Sequence, residues 1–429
     1  MRTLAAPLER RVGAAAAPRL YALVDQGTSG LGNIIAFALL GRALAVTQFG
    51  AVGMMIGLHY VIAGFHRSAA VLPFTTDHRA DHDPRAAHAE NSEWWWIALV
   101  LALALSAATA VVGGAVALAA RRWPESGWAV EPLLLTALIS PAMLAWEFAR
   151  RWLYKIDRAD MVALCATAYF LVLALAALVA GRLGLGAPGG ALAWVLASLA
   201  ALALALPGLA PARADRAGVR VLARRHRAES SWLAATNLPY SVYSTASIVV
   251  VIGVLVGPVA AALFTAARTL TNPAMSIVSA IDSIDKPRAA RAFAAEGMTG
   301  LARVVRRSRL TIAVATGLYL ALIAIFAAPV VALVFHGQYD GSATNVRLLA
   351  LGFFLFGLNL PSETLLIVRR AGRTMLVIRC VTAALTILGL WLGGRHGVAG
   401  MAIAFAVTQA INLLLLRAAE ARHARGTPA

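Results

Sequence analysis

The sequence predicts an all-α polytopic membrane protein, with about twelve transmembrane helices in two six-helix lobes around a central cavity. The first indication is composition, because 60% of the 429 residues are hydrophobic and only 14% are charged. The second is the length of the apolar runs, since a membrane helix requires roughly 20 apolar residues at about 1.5 Å rise each. The third is that the connections between these runs are short and rich in arginine. This profile excludes a soluble globular fold.

The first lobe is predicted from six apolar runs. An N-terminus containing Arg2, Arg10, Arg11 and Arg19 precedes the first run without a signal-peptide cleavage site, so we expect a retained membrane anchor. The tryptophans at 94–96 begin the third run and predict an interfacial aromatic belt. The six runs of this lobe lie at about 20–41, 50–73, 95–120, 130–149, 160–181 and 188–209.

The second lobe is predicted from six further runs, at about 231–256, 258–284, 310–335, 345–368, 374–393 and 397–417. An arginine-rich connection separates the two sets. We therefore predict an N-terminal lobe at 1–210, a cytoplasmic linker at 211–230 and a C-terminal lobe at 231–429. A faint similarity between QFGAVGMMIGLHYVIAGFHRS in the second run and GPVAAALFTAARTLTNPAMS in the eighth favours two parallel halves.

The basic residues indicate topology. The net charge of +18 would suit a nucleic-acid-binding protein, yet the arginines are confined to loops between apolar runs, so no nucleic-acid partner is expected. When the N-terminus is placed in the cytoplasm, nearly all loop arginines fall on that side. The opposite face receives only Arg42, Arg121, Arg122, Arg182 and Arg395. Both termini are therefore predicted to be cytoplasmic.

The cysteines and histidines predict neither a disulfide nor a metal site. Cys165 and Cys380 lie inside separate apolar runs. His78, His82 and His88 share the loop at 75–93 with several aspartates but lack a metal-ligand spacing, so we interpret this loop as a polar connection. No cofactor is predicted.

Three stretches carry a family resemblance. They are LVDQGTSGLGNIIAFALLGRALAVTQFGAVGM in the first two predicted helices, EFARRWLYKIDRADMVALC at the junction of the fourth and fifth, and LVGPVAAALFTAARTL at the hinge of the seventh and eighth. They resemble Wzx-type polysaccharide flippases of the multidrug/oligosaccharidyl-lipid/polysaccharide exporter superfamily. The sequence departs from that family in using arginine in place of lysine and in its His- and Asp-rich loop.

The resemblance implies a transporter of the bacterial inner membrane, and not an enzyme. Its substrate would be an undecaprenyl-pyrophosphate-linked glycan, turned from the cytoplasmic to the periplasmic leaflet by alternating access, with glycan polymerase machinery as a further partner. A cation-coupled drug exporter of the same superfamily is the alternative. A membrane enzyme acting on the same lipid is a third possibility, which the short outer loops disfavour.

Arg268 is the main candidate for substrate binding. It lies halfway along the predicted eighth helix among alanines and threonines, and Pro273 follows one turn later. A guanidinium at this depth costs at least a few kcal/mol and must face protein, water or an anion. It would bind pyrophosphate oxygens through its planar fork. The alternative is an ion pair that holds two helices together.

Arg67 and Arg379 are further candidates for contacting the phosphate, although at helix ends they would equally extend toward the membrane surface.

Asp25 in the first helix is the candidate for ion coupling, because a buried acid can take up and release a proton as the cavity alternates. The alternative for Asp25 is a bond to a neighbouring helix or to Arg67. For Glu147 and Asp282 we expect solvation or pairing with nearby basic residues.

The stretch NLPYSVYSTAS in the seventh predicted helix supplies aromatic and polar candidates for binding sugar rings. They are Asn237, Tyr240 and Tyr243, with the two tyrosines three residues apart on one helix face. Pro239 predicts a kink between them. The alternative is an interfacial tyrosine belt.

Overall fold

The protein is described by a computed structural model, which covers residues 17–76, 83–213 and 215–425. Arg2, Arg10, Arg11, His78 and His82 lie outside the described residues. The chain divides into two compact units, Met1–Leu238 and Pro239–Ala429. The predicted division into lobes and linker stays a prediction.

All regular structure in the described residues is helical. In the first unit the helices are α1 (Ala17–Ala43), α2 (Val46–His66), α3 (Pro84–Ala119), α4 (Val130–Lys155), α5 (Ala159–Arg182) and α6 (Gly186–Leu209). A π-helical turn at Arg67–Val71 and a last turn at Leu72–Thr76 extend α2. Helix α7 (Arg216–Tyr243) begins in the first unit and crosses the boundary into the second.

The second unit continues with α8 (Ile248–Val256), α9 (Pro258–Thr271), α10 (Pro273–Ile325), α11 (Ala327–Phe335), α12 (Ala343–Val368), α13 (Gly372–Gly394) and α14 (Gly397–Arg425). Among the described residues, ten helices are long and apolar enough to span a membrane, and the bent pair α7 and α8 makes an eleventh if it counts as one span. The chain is a multi-pass, all-α membrane protein, as the sequence predicts.

The same packing pattern recurs inside each unit. In the first, α4 packs against α2, α3 and α6, while α5 packs against α1 and α6. In the second, α12 packs against α9, α10 and α14, while α13 packs against α8 and α14. Each unit is thus organised around one central helix, α4 or α12, and both of these helices carry charged side chains.

The predicted eighth span, 258–284, is divided in the structure. Helix α9 ends at Thr271 and α10 begins at Pro273, whose missing N–H breaks the hydrogen-bond ladder. Asn272 keeps helical backbone angles, so the two helices follow one another without a loop. Arg268 therefore lies in the last turn of α9, and the helical backbone continues past it into α10. Helix α10 has its own break at Gly297, where φ is 62°.

The kink predicted at Pro239 lies elsewhere. Helix α7 continues through Pro239 to Tyr243, and the chain bends by 56° between α7 and α8. The hydroxyl of Ser247 donates to the carbonyl of Ser241, and the hydroxyls of Ser244 and Ser247 contact each other. Serine hydroxyls that bond to nearby backbone groups compete with the helical ladder. The serines after Tyr243 therefore mark the bend.

Candidate functional site

The C-terminal part of α4 carries a row of polar side chains. Glu147, Arg150, Arg151 and Tyr154 follow the i, i+3, i+4, i+7 spacing that puts residues on one face of a helix. Arg151 Nη2 donates to Glu147 Oε1 at 3.0 Å, and Arg150 Nη1 lies 3.6 Å from Glu147 Oε2. The expected pairing of Glu147 with both arginines is thus observed.

Asp25 of α1 meets this face of α4. Its side chain is fully buried, and its Oδ2 accepts from Tyr154 Oη at 2.7 Å and lies 3.0 Å from Arg150 Nη2. Gln26 Nε2 is 3.4 Å from the same oxygen. A buried carboxylate requires such partners, because removing an isolated charge from water is costly. Of the two alternatives for pairing, Asp25 bonds to the neighbouring helix and not to Arg67.

Arg67 completes this network from the π-helical turn after α2. Its Nη2 lies 3.3 Å from Glu147 Oε1, and its side chain is 53% exposed. We call Asp25, Arg67, Glu147, Arg150, Arg151 and Tyr154 the Asp25 network. It joins three segments of the first unit, and its three guanidinium groups face two carboxylates. A cation or a proton that neutralises Asp25 would release Arg150, whereas an anion would be attracted by the exposed Arg67.

A second charged group lies inside the second unit. Arg379 Nη2 of α13 is 3.1 Å from Glu363 Oε2 of α12, and the Arg379 side chain is only 18% exposed. The Arg379 guanidinium also lies over the Tyr240 ring, 5.1 Å from its centroid. Arg379 is therefore held inside its unit and does not extend toward the membrane surface.

The two candidate tyrosines belong to this second group. The rings of Tyr240 and Tyr243 meet edge to face, with centroids 5.4 Å apart. Tyr243 is 1% exposed and packs in a hydrophobic cluster with Phe356 and Ala383. The interfacial-belt alternative is thus wrong for Tyr243, because its ring is covered by protein.

Asn237 lies beside Gly64 within the first unit. A Cβ added at Gly64 of α2 would lie 2.2 Å from Asn237 Nδ2, so this amide fills the space that the glycine leaves. Asn237 is in the first unit, whereas Tyr240 and Tyr243 are in the second. All three residues lie on helix α7.

Arg268 is buried inside the second unit, with 5% of its surface exposed. Its helix α9 packs against α12 and α14. The hydroxyls of Thr265 and Thr269 donate to carbonyls one turn earlier on the same helix, at 2.7 and 2.8 Å, which helps α9 to bury polar residues. Arg268 therefore lies in the packed interior of the second unit.

The tryptophans at 94–96 differ from the expected belt. Trp94 and Trp95 are 1% and 6% exposed, and Trp95 packs against Phe148 and Trp152 of α4. Trp96 donates its indole N–H to the carbonyl of Ala212 at 2.9 Å. These three side chains therefore hold α3 to its neighbours within the first unit.

No group of three or more His, Cys, Asp or Glu side chains suited to a metal ion occurs among the described residues. His88 lies 6.0 Å, centroid to centroid, from the Trp152 ring. The partners of Asp25 that sequence reasoning missed are Tyr154 and Arg150. The spacing of polar residues along α4 is the signal that points to them.

Comparison with known proteins finds no matching family model and no match among curated proteins. Solved structures do match along nearly the whole chain. An inward-facing multidrug resistance MATE family transporter of the MOP superfamily matches with a TM-score of 0.68 and 15% identity, over 92% of this chain and 95% of that one. The chain has the fold of these transporters.

Two further solved structures support the same assignment of the fold. An outward-facing multidrug resistance MATE family transporter matches with a TM-score of 0.58 and 16% identity, over 95% of each chain. A MOP superfamily transporter from Pyrococcus furiosus, for which the reverse polarity of the binding pocket suggests a different function, matches with a TM-score of 0.59 and 15% identity. That match covers 95% of this chain and 97% of that one. Neither match is to a Wzx-type flippase.

Proposed function

We propose that the protein is a cation-coupled exporter of organic compounds that works by alternating access. The fold shared with inward-facing and outward-facing MATE family transporters supports alternating access. The observation that carries the coupling is the fully buried Asp25, whose carboxylate joins α1 to α4 through Arg150 and Tyr154. No enzymatic step is part of the proposal.

The coupling follows from the charges of the Asp25 network. When a proton or a sodium ion neutralises Asp25, its attraction to Arg150 is lost, and Arg150 keeps Glu147 at 3.6 Å as its carboxylate partner in the network. The contact between α1 and α4 then weakens. Cation binding in this way favours one of two arrangements of the helices, which is what coupling to an alternating cavity requires.

Substitution of Asp25 by asparagine tests this proposal in proteoliposomes. We expect Asp25→Asn to abolish ethidium accumulation driven by a proton or sodium gradient, while ethidium binding measured by fluorescence polarisation stays within threefold. Asp285→Asn is the matched control, because Asp285 also pairs with an arginine, Arg288 at 3.5 Å, outside the network. Gradient-driven accumulation by Asp25→Asn at the wild-type rate would refute the coupling role.

A second candidate function is the flipping of an undecaprenyl-pyrophosphate-linked glycan, in which glycan polymerase machinery would use the product. The excess of guanidinium groups in the Asp25 network and the 53% exposure of Arg67 favour an anionic substrate. The protein would then act in the bacterial inner membrane with both termini in the cytoplasm. Cells lacking it would accumulate lipid-linked repeat units on the inner leaflet. Polymerised glycan outside such cells would exclude this candidate.

A further inference from the structure

A cavity of about 640 Å³ lies in the first unit between α3 and the beginning of α7. The wall formed by α3 is apolar apart from indole nitrogens. Val100 on this wall is 63% exposed, so the cavity is open on the apolar flank of a membrane-spanning helix. The residues of this wall are Trp94, Trp96, Ile97, Val100, Leu101 and Ala104.

The opposite wall is a basic face of α7. Arg216, Arg220, Ala223 and Arg227 line the cavity at i, i+4, i+7 and i+11, so they form one stripe along the helix. The three arginines are exposed. His226 lines the cavity beside them. No carboxylate is among the described residues that line this cavity.

The two walls are fixed relative to each other. Trp96 Nε1 donates to the carbonyl of Ala212 just before α7, and Ser230 Oγ donates to the carbonyl of Ala69 at 3.1 Å. The ring of His226 lies 5.2 Å from the Trp94 ring. These contacts hold α7 beside α3 at several points, so the cavity is formed before any ligand binds.

We propose that this cavity binds one anionic phospholipid, with its phosphate on the arginine stripe of α7 and an acyl chain along the apolar wall of α3. Charge complementarity selects the anionic headgroup, because arginine binds phosphate oxygens through its fork and basic amphipathic segments attract anionic lipids. A small soluble anion would leave the apolar wall uncovered, and a zwitterionic lipid would bring a positively charged ammonium group close to the arginines. The site is independent of the transported substrate.

The test is a titration of the purified full-length protein with phosphatidylglycerol, followed by native mass spectrometry. We expect R220Q/R227Q to bind the first phosphatidylglycerol about 30-fold more weakly, since each arginine near an anionic lipid surface contributes about 1 kcal/mol and a tenfold change corresponds to about 1.4 kcal/mol. The matched control is R224Q/R225Q, which removes equal charge from exposed positions of the same helix outside the cavity lining. This control should change affinity less than threefold.

A second variant tests the acyl-chain part of the site. Ala223→Phe keeps every charge and places a ring in the cavity, so we expect about tenfold weaker phosphatidylglycerol binding. All variants are compared as material that elutes as a single monodisperse peak. Equal losses for the two double variants, unchanged binding by Ala223→Phe, or displacement of the lipid by millimolar inorganic phosphate would each overturn the proposal. The last outcome would indicate a site for a free anion.

Discussion

Removing Arg150 isolates the buried Asp25 carboxylate from its nearest positive charge. The Asp25 side chain is fully buried and the Arg150 side chain is 12% exposed, with 3.0 Å between Oδ2 and Nη2. Breaking a buried pair from one side costs about 3–5 kcal/mol, because the remaining charge stays desolvated. For a folded unit of this size, each kcal/mol lowers Tm by about 2–4 °C. We therefore expect Arg150→Met to lower Tm by about 10 °C.

The chain supplies its own reporter for this measurement. Cys165 of α5 is fully buried in the first unit, whereas Cys380 is exposed. In a Cys380→Ser background, a thiol-reactive fluorophore will therefore label Cys165 only as the first unit unfolds. The labelling midpoint on heating gives Tm for each variant in detergent.

A double-mutant cycle separates the ion pair from simple packing. Asp25→Asn combined with Arg150→Met should recover more than half of the lost Tm, because no unpaired charge then remains at the site. Arg158→Met is the matched control in the same unit, since Arg158 pairs with Asp160 at 2.9 Å but is 33% exposed, and its loss should cost about 1 kcal/mol or less. Additive losses in the cycle, or a shift below 2 °C for Arg150→Met, would refute the reasoning.

Three other changes have defined outcomes. If the protein flips a lipid-linked glycan, Arg268→Ala should stop glycan export at normal membrane levels, because the guanidinium would bind the pyrophosphate. Arg268→Lys should keep part of that export if charge alone matters, and wild-type glycan export by the alanine variant would exclude this role. Tyr154→Phe should lower Tm by an amount equivalent to about 1.5–3 kcal/mol, because the buried Asp25 carboxylate loses a hydrogen bond of 2.7 Å. Gly393→Ala should destabilise by about 1–3 kcal/mol, because its Cβ would lie 2.5 Å from a backbone oxygen of α14. Gly114→Ala, with open space around it, should instead be neutral or slightly stabilising. Both glycine variants are followed by thermal melting monitored by circular dichroism, because Gly393 lies in the second unit and the Cys165 label reports only on the first.

Some of the ion pairs could be predicted from the local sequence. The pairs of Glu147 with Arg150 and Arg151, and of Asp282 with Lys286 at 2.5 Å, follow from i, i+3 and i, i+4 spacing on a helix. The contact of Asp25 with Arg150 joins residues that are far apart along the chain. No spacing rule reaches that distance, so the choice among Asp25 partners depended on the tertiary structure, in which the side chains of Arg150 and Tyr154 reach Asp25.

The polar residues of α7 show that the sequence of one helix does not specify what each side chain contacts. Asn237 and Tyr243 share α7, yet Asn237 fills the space beside Gly64 and Tyr243 packs with Phe356. The bend at the serines after Tyr243 also could not be located from Pro239 alone. Proline is tolerated in membrane helices where other groups satisfy the freed carbonyl, so its presence does not fix the position of a bend.

The sequence by itself determined that this chain is an all-α membrane protein with about a dozen spans, because bilayer thickness imposes a length on each apolar run. It also identified the charged residues within the predicted spans. Charged side chains are rare in such spans because placing a charge in the bilayer is energetically costly. Which charged side chains pair with each other depended on the tertiary structure. The fold buries Arg268 in the last turn of α9 and brings Asp25 into an ion-pair network. It also formed the cavity between α3 and α7, because the lining side chains come from separate helices.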